Sequence, residues 1–236
     1  LINAFEACIQ DSSLILIGGK TGSGKTFLIQ EFQGIDLEAK NLQAIDLEGL
    51  ANHRGSAFGY EATPQPTQID FENRLNVSLL QKHSGSYLLE DESRLIGRLH
   101  VPEILFKKMR ESPLLLVEEP MEVRANHILN TYVIQKVSHL SNPFEQAQHL
   151  QALFVPPLQN ISKKLGLERT KICLSELEIA NAKLAQGEGF SSQLSWITHL
   201  LQWYYDPMYV YSLEKRNPVI LYRGNTKQIK DWLRAL

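Results

Sequence analysis

The chain has 236 residues, and its 24 Lys and Arg against 26 Asp and Glu give a formal charge of −2. This near balance argues against a polybasic coat for nucleic acids, so any RNA contact must use a local patch. Hydrophobic residues make up 43% of the chain, which provides a folded core and excludes wholesale disorder. No apolar run approaches the ~20 residues of a membrane-spanning helix, so we expect no membrane partner. Two cysteines without CxxC spacing indicate a reducing, cytoplasmic compartment.

Short apolar segments with strand character alternate with helical patterns along much of the chain. We predict five strands, at 14–17, 42–45, 86–89, 114–117 and 219–222. Helices are predicted between them, at 26–32, 69–81, 102–110 and 226–236. This alternation is typical of an α/β protein with a mainly parallel, five-stranded sheet flanked by helices.

A long helical stretch interrupts the alternation before the last strand. From Met121 to about Tyr205 the pattern is almost wholly helical, and Asp206-Pro207 is predicted to end its last helix. We therefore predict one domain made of a linker helix, a core, a helical insertion, and a last strand with a C-terminal helix, at 1–13, 14–120, 121–206 and 207–236. Because the chain starts at Leu1 directly in helix-like sequence, we expect it to be a fragment of a longer protein.

The strongest chemical signal follows the first predicted strand and fits G-x-x-x-x-G-K-[ST]. Its residues are Gly19, Lys20, Thr21, Gly22, Ser23, Gly24, Lys25 and Thr26. A strand before and a helix after this loop are typical of P-loop NTPase-like folds, in which backbone N–H groups and the helix N-terminus surround an anion. Lys25 supplies a charge for the terminal phosphate, and the Thr26 hydroxyl can ligate Mg²⁺. The motif predicts phosphate or diphosphate binding without identifying the phosphorylated molecule.

Carboxylates follow the other predicted strands, at the edge of a parallel sheet where ligands bind. They are Asp46, Glu48, Glu90, Asp91, Glu92 and Glu118. We expect one of them to help Thr26 hold Mg²⁺, with Asp91 and Glu118 the best placed. For each carboxylate the alternative is a helix cap or a position that faces solvent.

Arginines follow the same strands and can line a mouth that binds anions. They are Arg54, Arg94, Arg98 and Arg124. Guanidinium groups suit phosphate, although each one alone is more often a partner in a surface ion pair.

The helical stretch contains a basic segment that is a candidate for RNA binding, formed by Lys163, Lys164, Arg169 and Lys171. With the aromatic residues of 203–205 it could hold RNA phosphates and stack on bases. The alternative is a solvated helix face beside aromatic core packing.

Several blocks of the sequence together resemble one family. The phosphate loop at 17–26 is followed by IDLEGLANHRGSAFG at 45–59, FEN at 71–73, LEDESRLIG at 89–97, VEEP at 117–120 and YYDPMY at 204–209. The blocks DLEGLAxHRG and EDESR are far more specific than the phosphate loop itself. Together they resemble the C-terminal P-loop domain of tRNA 2-selenouridine synthases over nearly the whole chain.

The resemblance implies an enzyme in which a rhodanese-like domain, absent from this sequence, precedes the P-loop domain. Such enzymes convert 2-thiouridine at the tRNA wobble position into 2-selenouridine, with selenophosphate as selenium donor and a geranylated intermediate made from geranyl diphosphate. The loop Gly19–Thr26 is then expected to hold a (di)phosphate donor, and the tRNA anticodon arm to dock on this domain. The mouth around the donor would be lined by Asp46, Glu48, His53, Arg54, Glu90, Asp91, Glu92 and Arg94.

Three of these residues are candidates for a catalytic role, namely Lys25, Arg54 and Asp91. The geranyl group needs an apolar slot, for which composition suggests Phe58, Tyr60 or the aromatics of 203–205. Two other functions remain open from the residues alone. One is a small-molecule kinase that transfers the γ-phosphate of ATP, and the other is a non-catalytic RNA-binding module with a vestigial loop.

Overall fold

A computed structural model describes residues 2–33, 42–59, 63–80 and 85–235. The strands in chain order are β1 (Ser13–Gly19), β2 (Leu42–Ile45), β3 (Ser86–Glu90), β4 (Leu95–Ile96), β5 (Leu99–His100), β6 (Leu114–Val117) and β7 (Ile220–Gly224). The helices of the first half are α1 (Ile2–Asp11), α2 (Lys25–Gln33), α3 (Leu47–Ala51), α4 (Gln68–Leu80) and α5 (Glu103–Glu111). Those that follow are α6 (Met121–Ile128), α7 (Gln135–Val137), α8 (Pro143–Asn160), α9 (Ser162–Leu165), α10 (Leu167–Ala185), α11 (Leu194–Leu200), α12 (Asp206–Arg216) and α13 (Thr226–Ala235).

The main sheet contains five strands in the order β2-β3-β1-β6-β7, and every pairing in it is parallel. This confirms the predicted α/β fold class, and all five predicted strands are present. The short strands β4 and β5 form a separate antiparallel pair that the sequence patterns did not indicate. The predicted helix at 69–81 is α4, although its last residue, Gln81, lies outside the described ranges.

The register of the sheet brings the carboxyl ends of its strands to one edge. Ile45 pairs with Leu89, Ile17 with Glu90, and Gly19 with Val117. The residues that follow β1, β2, β3 and β6 therefore leave the sheet at nearly the same level.

The chain forms two compact units. The first contains Leu1–Gly19, Gly24–Glu118 and Lys215–Leu236, and the second contains Lys20–Ser23 and Glu119–Glu214. In the first unit, α2 and α13 pack on the sheet around Ile17, Leu88 and Leu115. Because side chains alternate along a strand, Leu14 and Leu16 of β1 face the other side, and both are buried.

The second unit is helical and has its own core. Helices α8 and α10 pack along each other, and α11 contacts both α6 and α10. The rings of Phe154 and Trp196 meet there with centroids 5.0 Å apart. A hydrogen-bonded chain of amides runs from this core to the surface, because the buried Gln193 donates to the buried Asn181 at 2.9 Å and Asn181 donates to the exposed Gln151 at 2.8 Å.

The helical part continues beyond the end that the sequence suggested. Asp206-Pro207 does not end a helix but begins α12, which runs to Arg216. Proline is tolerated in the first turn of a helix, where its missing N–H is least costly. The residues directly before it, Leu201–Tyr205, form a wider π-helical turn. Within the described ranges, no helix combines the length and the apolar character needed to cross a bilayer.

The packing of the sheet predicts different costs for two leucines in its strands. Leu88 of the interior strand β3 is wholly buried, whereas Leu221 of the edge strand β7 is 42% exposed. Replacing Leu88 with Ala should lower the free energy of unfolding by about 2–5 kcal/mol, because it leaves a cavity. The matched Leu221→Ala should cost less than about 1 kcal/mol. Urea unfolding followed by circular dichroism measures both, and equal costs would contradict the assigned core.

Candidate phosphate-binding site

The predicted phosphate loop connects β1 to α2 and bends at its glycines. Gly22 and Gly24 have φ angles of +83° and +86°, which glycine adopts far more readily than any residue with a side chain. The first turn of α2 closes when the Leu28 N–H donates to the Gly24 carbonyl at 3.1 Å. The remaining N–H groups at this N-terminus carry the positive end of the helix dipole, which favours an anion.

The two side chains that follow the loop make short polar contacts inside the sheet unit. The Lys25 ammonium donates to the Gly19 carbonyl at 2.8 Å, so it lies across the base of the loop. The Thr26 hydroxyl donates to Glu48 Oε2 at 2.7 Å. Glu48 is thus the carboxylate that the structure places against Thr26.

Asp46 serves as the cap of a helix as well as a member of the acidic edge. It precedes α3 and accepts from the Gly49 N–H at 2.6 Å and from the Gln30 amide at 2.9 Å. A side chain at Gly49 would collide with this carboxylate, since its Cβ would lie 2.5 Å from Asp46 Oδ2. The cap holds α3 at the carboxyl end of β2 and so places Glu48 in the first turn of α3.

Glu90 is the most deeply buried acid of the cluster. It is wholly inaccessible to solvent, and its Oε2 accepts from the Leu47 N–H at 3.0 Å. Its Oε1 has no hydrogen-bond partner among the described residues. A buried carboxylate with one unsatisfied oxygen is costly when charged, which favours its protonated form.

Burial and mutual repulsion raise the pKa values across this cluster. Burial, followed by the charges of Asp46, Glu48 and Glu92, raises the pKa of Glu90 well above its usual range. Burial also raises the pKa of Glu48, against the opposing effects of Thr26 and Lys25. Burial together with the charge of Glu48 raises the pKa of Glu92 to about 8. The edge of the sheet is therefore less negative near neutral pH than its acidic residues suggest.

The turn after α3 carries His53 and Arg54. The buried His53 donates its backbone N–H to the Glu48 carbonyl at 3.1 Å, and the Arg54 N–H donates to the Gly59 carbonyl at 3.0 Å. The absence of a side chain at Gly55 leaves room for Glu48 and Glu92, whose carboxylates a Cβ there would approach within 3.1 and 2.4 Å. His53 and Arg54 thus belong to the segment that carries Glu48, and their place in a donor-binding mouth stays a prediction.

Asp91 is held by an arginine that sequence reasoning did not single out. The Arg216 guanidinium forms an ion pair with Asp91, and both side chains are largely buried. Arg216 also donates to the carbonyls of Met109 at 2.7 Å and Ser112 at 2.9 Å, at the C-terminal end of α5. Burial raises the pKa of Asp91, while the charge of Arg216 opposes that shift. No local signal distinguishes Arg216 from its neighbour Lys215, because the partner is 125 residues away.

The three residues that the sequence suggested for a metal do not form one group. Thr26 contacts Glu48, Asp91 pairs with Arg216, and the exposed Glu118 lies 3.6 Å from Arg223. Across 2–33, 42–59, 63–80 and 85–235, no cluster of three His, Cys, Asp or Glu side chains is arranged to hold a metal. The hydroxyl and carboxylate oxygens of Thr26 and Glu48 are nevertheless the hard ligands that Mg²⁺ prefers, and they adjoin the loop.

The middle of the loop, Lys20–Ser23, belongs to the helical unit, where Arg124 and Asp206 contact it. The Arg124 guanidinium forms two hydrogen bonds with Asp206, at 2.8 and 2.7 Å, and a third with the Thr21 carbonyl at 3.1 Å. The Lys20 ammonium lies 3.6 Å from the same Asp206 carboxylate. Sequence reasoning placed Asp206 in a helix stop and in the YYDPMY block but assigned it no charge partner, so its role as a counter-charge was missed.

Arginine and lysine candidates at the surface have varied surroundings. Arg94 pairs with Glu103 at 2.6 Å, and both are exposed. In the helical unit, Lys171 pairs with Glu168 at 2.9 Å, and Lys163 and Lys164 are exposed on α9. These contacts leave RNA binding by this segment a prediction.

The aromatic candidates for an apolar slot are separated in the chain. Phe58 is buried, and Tyr60 lies outside the described residues. The Trp203 ring stacks on His199 with centroids 4.1 Å apart, and the Arg169 guanidinium lies 5.7 Å from the Trp203 centroid. The Trp203 ring thus has polar neighbours, which suits a solvated surface better than a purely apolar slot.

The raised pKa of Glu92 predicts a pH-dependent stability. The ordinary value is 4.5 and the folded value is about 8, so folding favours the protonated form and the wild type loses stability as the pH rises between them. Glu92→Gln cannot ionise and should therefore be more stable than the wild type by on the order of 2 kcal/mol at pH 9, with a smaller gain at pH 5. Urea unfolding at both pH values measures the difference, with the exposed Glu188→Gln as a one-charge control. A gain that does not change with pH would contradict the electrostatic account.

Comparison with known proteins places the chain in a family. Residues 12–236 match the family described as the tRNA 2-selenouridine synthase AAA domain. A relative from Psychromonas ingrahamii, named tRNA 2-selenouridine synthase, is 37% identical over 239 residues, which cover 99% of this chain and 62% of that protein. Relatives of the same name from Marinobacter nauticus and Nitrosomonas eutropha are 41% and 37% identical, over 63% and 65% of their lengths. No solved structure matches the chain.

The chain spans 62% to 65% of the length of these three relatives. The match to the family covers the sheet, the phosphate loop, the acidic edge and the helical unit together. This extent confirms the resemblance that the loop and the DLEGLAxHRG and EDESR blocks carry. The chain belongs to the tRNA 2-selenouridine synthase AAA domain family.

Proposed function

We propose that this chain is the donor-binding domain of a cytoplasmic tRNA 2-selenouridine synthase. Its substrates are a phosphorylated donor, geranyl diphosphate or selenophosphate, and the anticodon arm of a tRNA that carries 2-thiouridine. A rhodanese-like domain is its partner within the longer protein. The observation that carries the proposal is the loop between β1 and α2, with two positive-φ glycines and Lys25 across its base.

The chemistry of geranyl transfer needs what this loop offers. The bond between C1 of the geranyl group and the diphosphate oxygen breaks, and the sulfur of 2-thiouridine forms a new bond to that carbon. The N3 proton of the thiouridine is released to solvent or to the departing diphosphate. The electron pair leaves with the diphosphate, whose negative charge grows in the transition state. Backbone N–H groups, the N-terminus of α2 and the Lys25 ammonium stabilise that charge.

The acidic edge is compatible with an anionic donor because much of its charge is suppressed. Burial raises the pKa values of Glu90 and Glu92, so protons on these two acids reduce the repulsion that a diphosphate meets. Asp91 has Arg216 as its own counter-charge. Lys25, which donates to the Gly19 carbonyl, can balance the charge of the donor.

Thr26 and Glu48 are the residues that would hold Mg²⁺. When bound, the ion would neutralise charge on the leaving diphosphate. Without it, the Thr26 hydroxyl donates to Glu48, which keeps both side chains oriented toward the start of α2.

Removing the Lys25 ammonium should impair transfer. In the full-length enzyme, Lys25→Ala should lower the rate of geranylation of an RNA that contains 2-thiouridine by about 100-fold or more, the scale for losing a preorganised charge. The rate is measured by chromatography of the nucleosides after digestion. Lys227→Ala on α13 is the matched control, because this lysine is exposed and pairs only within its own helix, with Asp231.

Full activity of the Lys25→Ala enzyme would refute the proposed role and favour a vestigial loop.

Competition among geranyl diphosphate, selenophosphate and ATP for the chain identifies the donor. ATP turnover stimulated by a small metabolite, with no affinity for RNA, would favour a kinase instead.

The contact between Thr26 and Glu48 predicts which substitutions remove the effect of Mg²⁺. Calorimetric titration of the wild-type chain with geranyl diphosphate should show tighter binding with Mg²⁺ than without it. Thr26→Ala and Glu48→Ala should each reduce that enhancement by about tenfold, because each removes an oxygen ligand beside the loop. Glu118→Ala serves as the control, since Glu118 is exposed and faces Arg223. An enhancement that depends on Glu118 and not on Glu48 would restore the metal site expected from the sequence.

A further inference from the structure

Arg124 is a buried arginine whose hydrogen bonds reach the phosphate loop. It lies on α6, and only 3% of its side chain is exposed. Burying a guanidinium group is unfavourable unless a counter-charge and hydrogen-bond acceptors surround it. Asp206 supplies the counter-charge through two short hydrogen bonds, and the Thr21 carbonyl accepts a third. The terminal nitrogens of Arg124 are therefore committed to a side chain and to the backbone of the loop.

The backbone of α6 supports the loop at a second point. A Cβ on Gly22 would lie 2.8 Å from the Arg124 carbonyl oxygen and 3.1 Å from Ile128 Cγ1, so the loop packs against α6 too closely for a side chain. The loop also closes on itself, since the Ser23 N–H donates to the Lys20 carbonyl at 3.1 Å. Arg124 thus donates a hydrogen bond to the Thr21 carbonyl, and its own backbone packs against the next loop residue, Gly22.

The hydrogen bond from Arg124 to the Thr21 carbonyl determines the direction of the Gly22 N–H. In a trans peptide the carbonyl and the following N–H lie in one plane and point in opposite directions. Because the Thr21 carbonyl points to Arg124, the Gly22 N–H of the same peptide points away from Arg124. A rotation of this peptide would exchange the two and present a carbonyl oxygen where the N–H now lies.

We propose that Arg124, oriented by Asp206, is a positioning residue that fixes the Thr21–Gly22 peptide so that its N–H can serve a bound phosphate. This inference rests on the proposed function of the loop. It departs from the sequence expectation that Arg124 clamps phosphate directly, because its terminal nitrogens already hold Asp206 and Thr21. Lys20 shares the same counter-charge, at 3.6 Å from Asp206.

The competing interpretation is that the pair between Arg124 and Asp206 only stabilises the helical unit. A control variant separates the two roles. Asn181→Ala removes two hydrogen bonds of α10 in the same unit, one with Gln151 of α8 and one with Gln193, and neither of these partners belongs to the loop. It should destabilise the helical unit without affecting an anion at the loop.

The test is calorimetric titration of the folded 236-residue chain with inorganic pyrophosphate. Arg124→Met keeps the apolar part of the side chain and removes the guanidinium, and Asp206→Asn removes its counter-charge. Each should weaken pyrophosphate binding by about tenfold or more, and the double variant should be no weaker than the worse single one, because the two residues act as a unit. Asn181→Ala should bind within about twofold of the wild type even if it unfolds at a lower temperature.

A second readout reports on the peptide itself. In a ¹⁵N-labelled chain, pyrophosphate should shift the Gly22 amide resonance of the wild type and leave it nearly unshifted in Arg124→Met. If Arg124→Met does not fold, Arg124→Lys replaces it, since a single ammonium cannot reproduce the paired contacts with Asp206 and Thr21 and should bind with intermediate affinity.

The outcomes distinguish this inference from the proposed function. If the wild type binds pyrophosphate and Lys25→Ala does not, but Arg124→Met and Asp206→Asn bind as the wild type does, the positioning role is wrong and the loop function stands. Equal losses in Asn181→Ala would also overturn it. If the wild type does not bind pyrophosphate, the proposed function fails and this inference fails with it.

Discussion

The parallel register of the sheet is the constraint on which the site depends. It sets the ends of β1, β2 and β3 side by side, so that an anion-binding loop and a row of acids emerge together. An isolated carboxylate beside a phosphate loop would weaken anion binding. Here burial favours protonated acids, and Glu90 and Glu48 hydrogen-bond to Leu47 and Thr26, so the acids help to build the turn after β2. The same burial that lowers their charge also fixes their positions.

The phosphate loop is divided between the two compact units of the chain. Its base, with Gly19 and Lys25, belongs to the sheet unit, whereas Lys20–Ser23 belong to the helical unit. A peptide that presents its N–H group to an anion has to be held in a single orientation. In the helical unit that constraint comes from Arg124 and the α6 backbone, and in the sheet unit it comes from Lys25 and the first turn of α2.

Much of the fold could be predicted from the sequence because its signals are local. Each of these signals is contained in a short stretch of sequence. They are the apolar runs with strand character, the glycine spacing at 19–24 and the helical periodicity around 200. Asp206-Pro207 misled the prediction because a proline can also stand in the first turn of a helix. The pair β4 and β5 was missed because strands of two residues carry too little pattern to recognise.

The candidate site shows where such local reasoning stops. Thr26 and Glu48 are 22 residues apart in the chain. The sequence did not favour Glu48 over Asp91 or Glu118 as the partner of Thr26, because all three carboxylates follow strands. The deciding feature is the cap at Asp46, which starts α3 at once and turns Glu48 back toward α2. Asp91 follows β3 directly and is drawn instead to Arg216.

Each compact unit contains a buried pair of arginine and aspartate, and each pair joins distant parts of the chain. Arg124 and Asp206 are 82 residues apart, and Asp91 and Arg216 are 125 apart. In each pair the arginine also donates to backbone carbonyl groups. Arg124 donates to the Thr21 carbonyl of the loop, and Arg216 donates to the Met109 and Ser112 carbonyls at the end of α5. A lysine could supply the charge but could not span a carboxylate and a carbonyl at once with a planar fork. The two arginines therefore act through geometry as much as charge, and the positions they fix are a loop peptide in the helical unit and a strand-end carboxylate in the sheet unit.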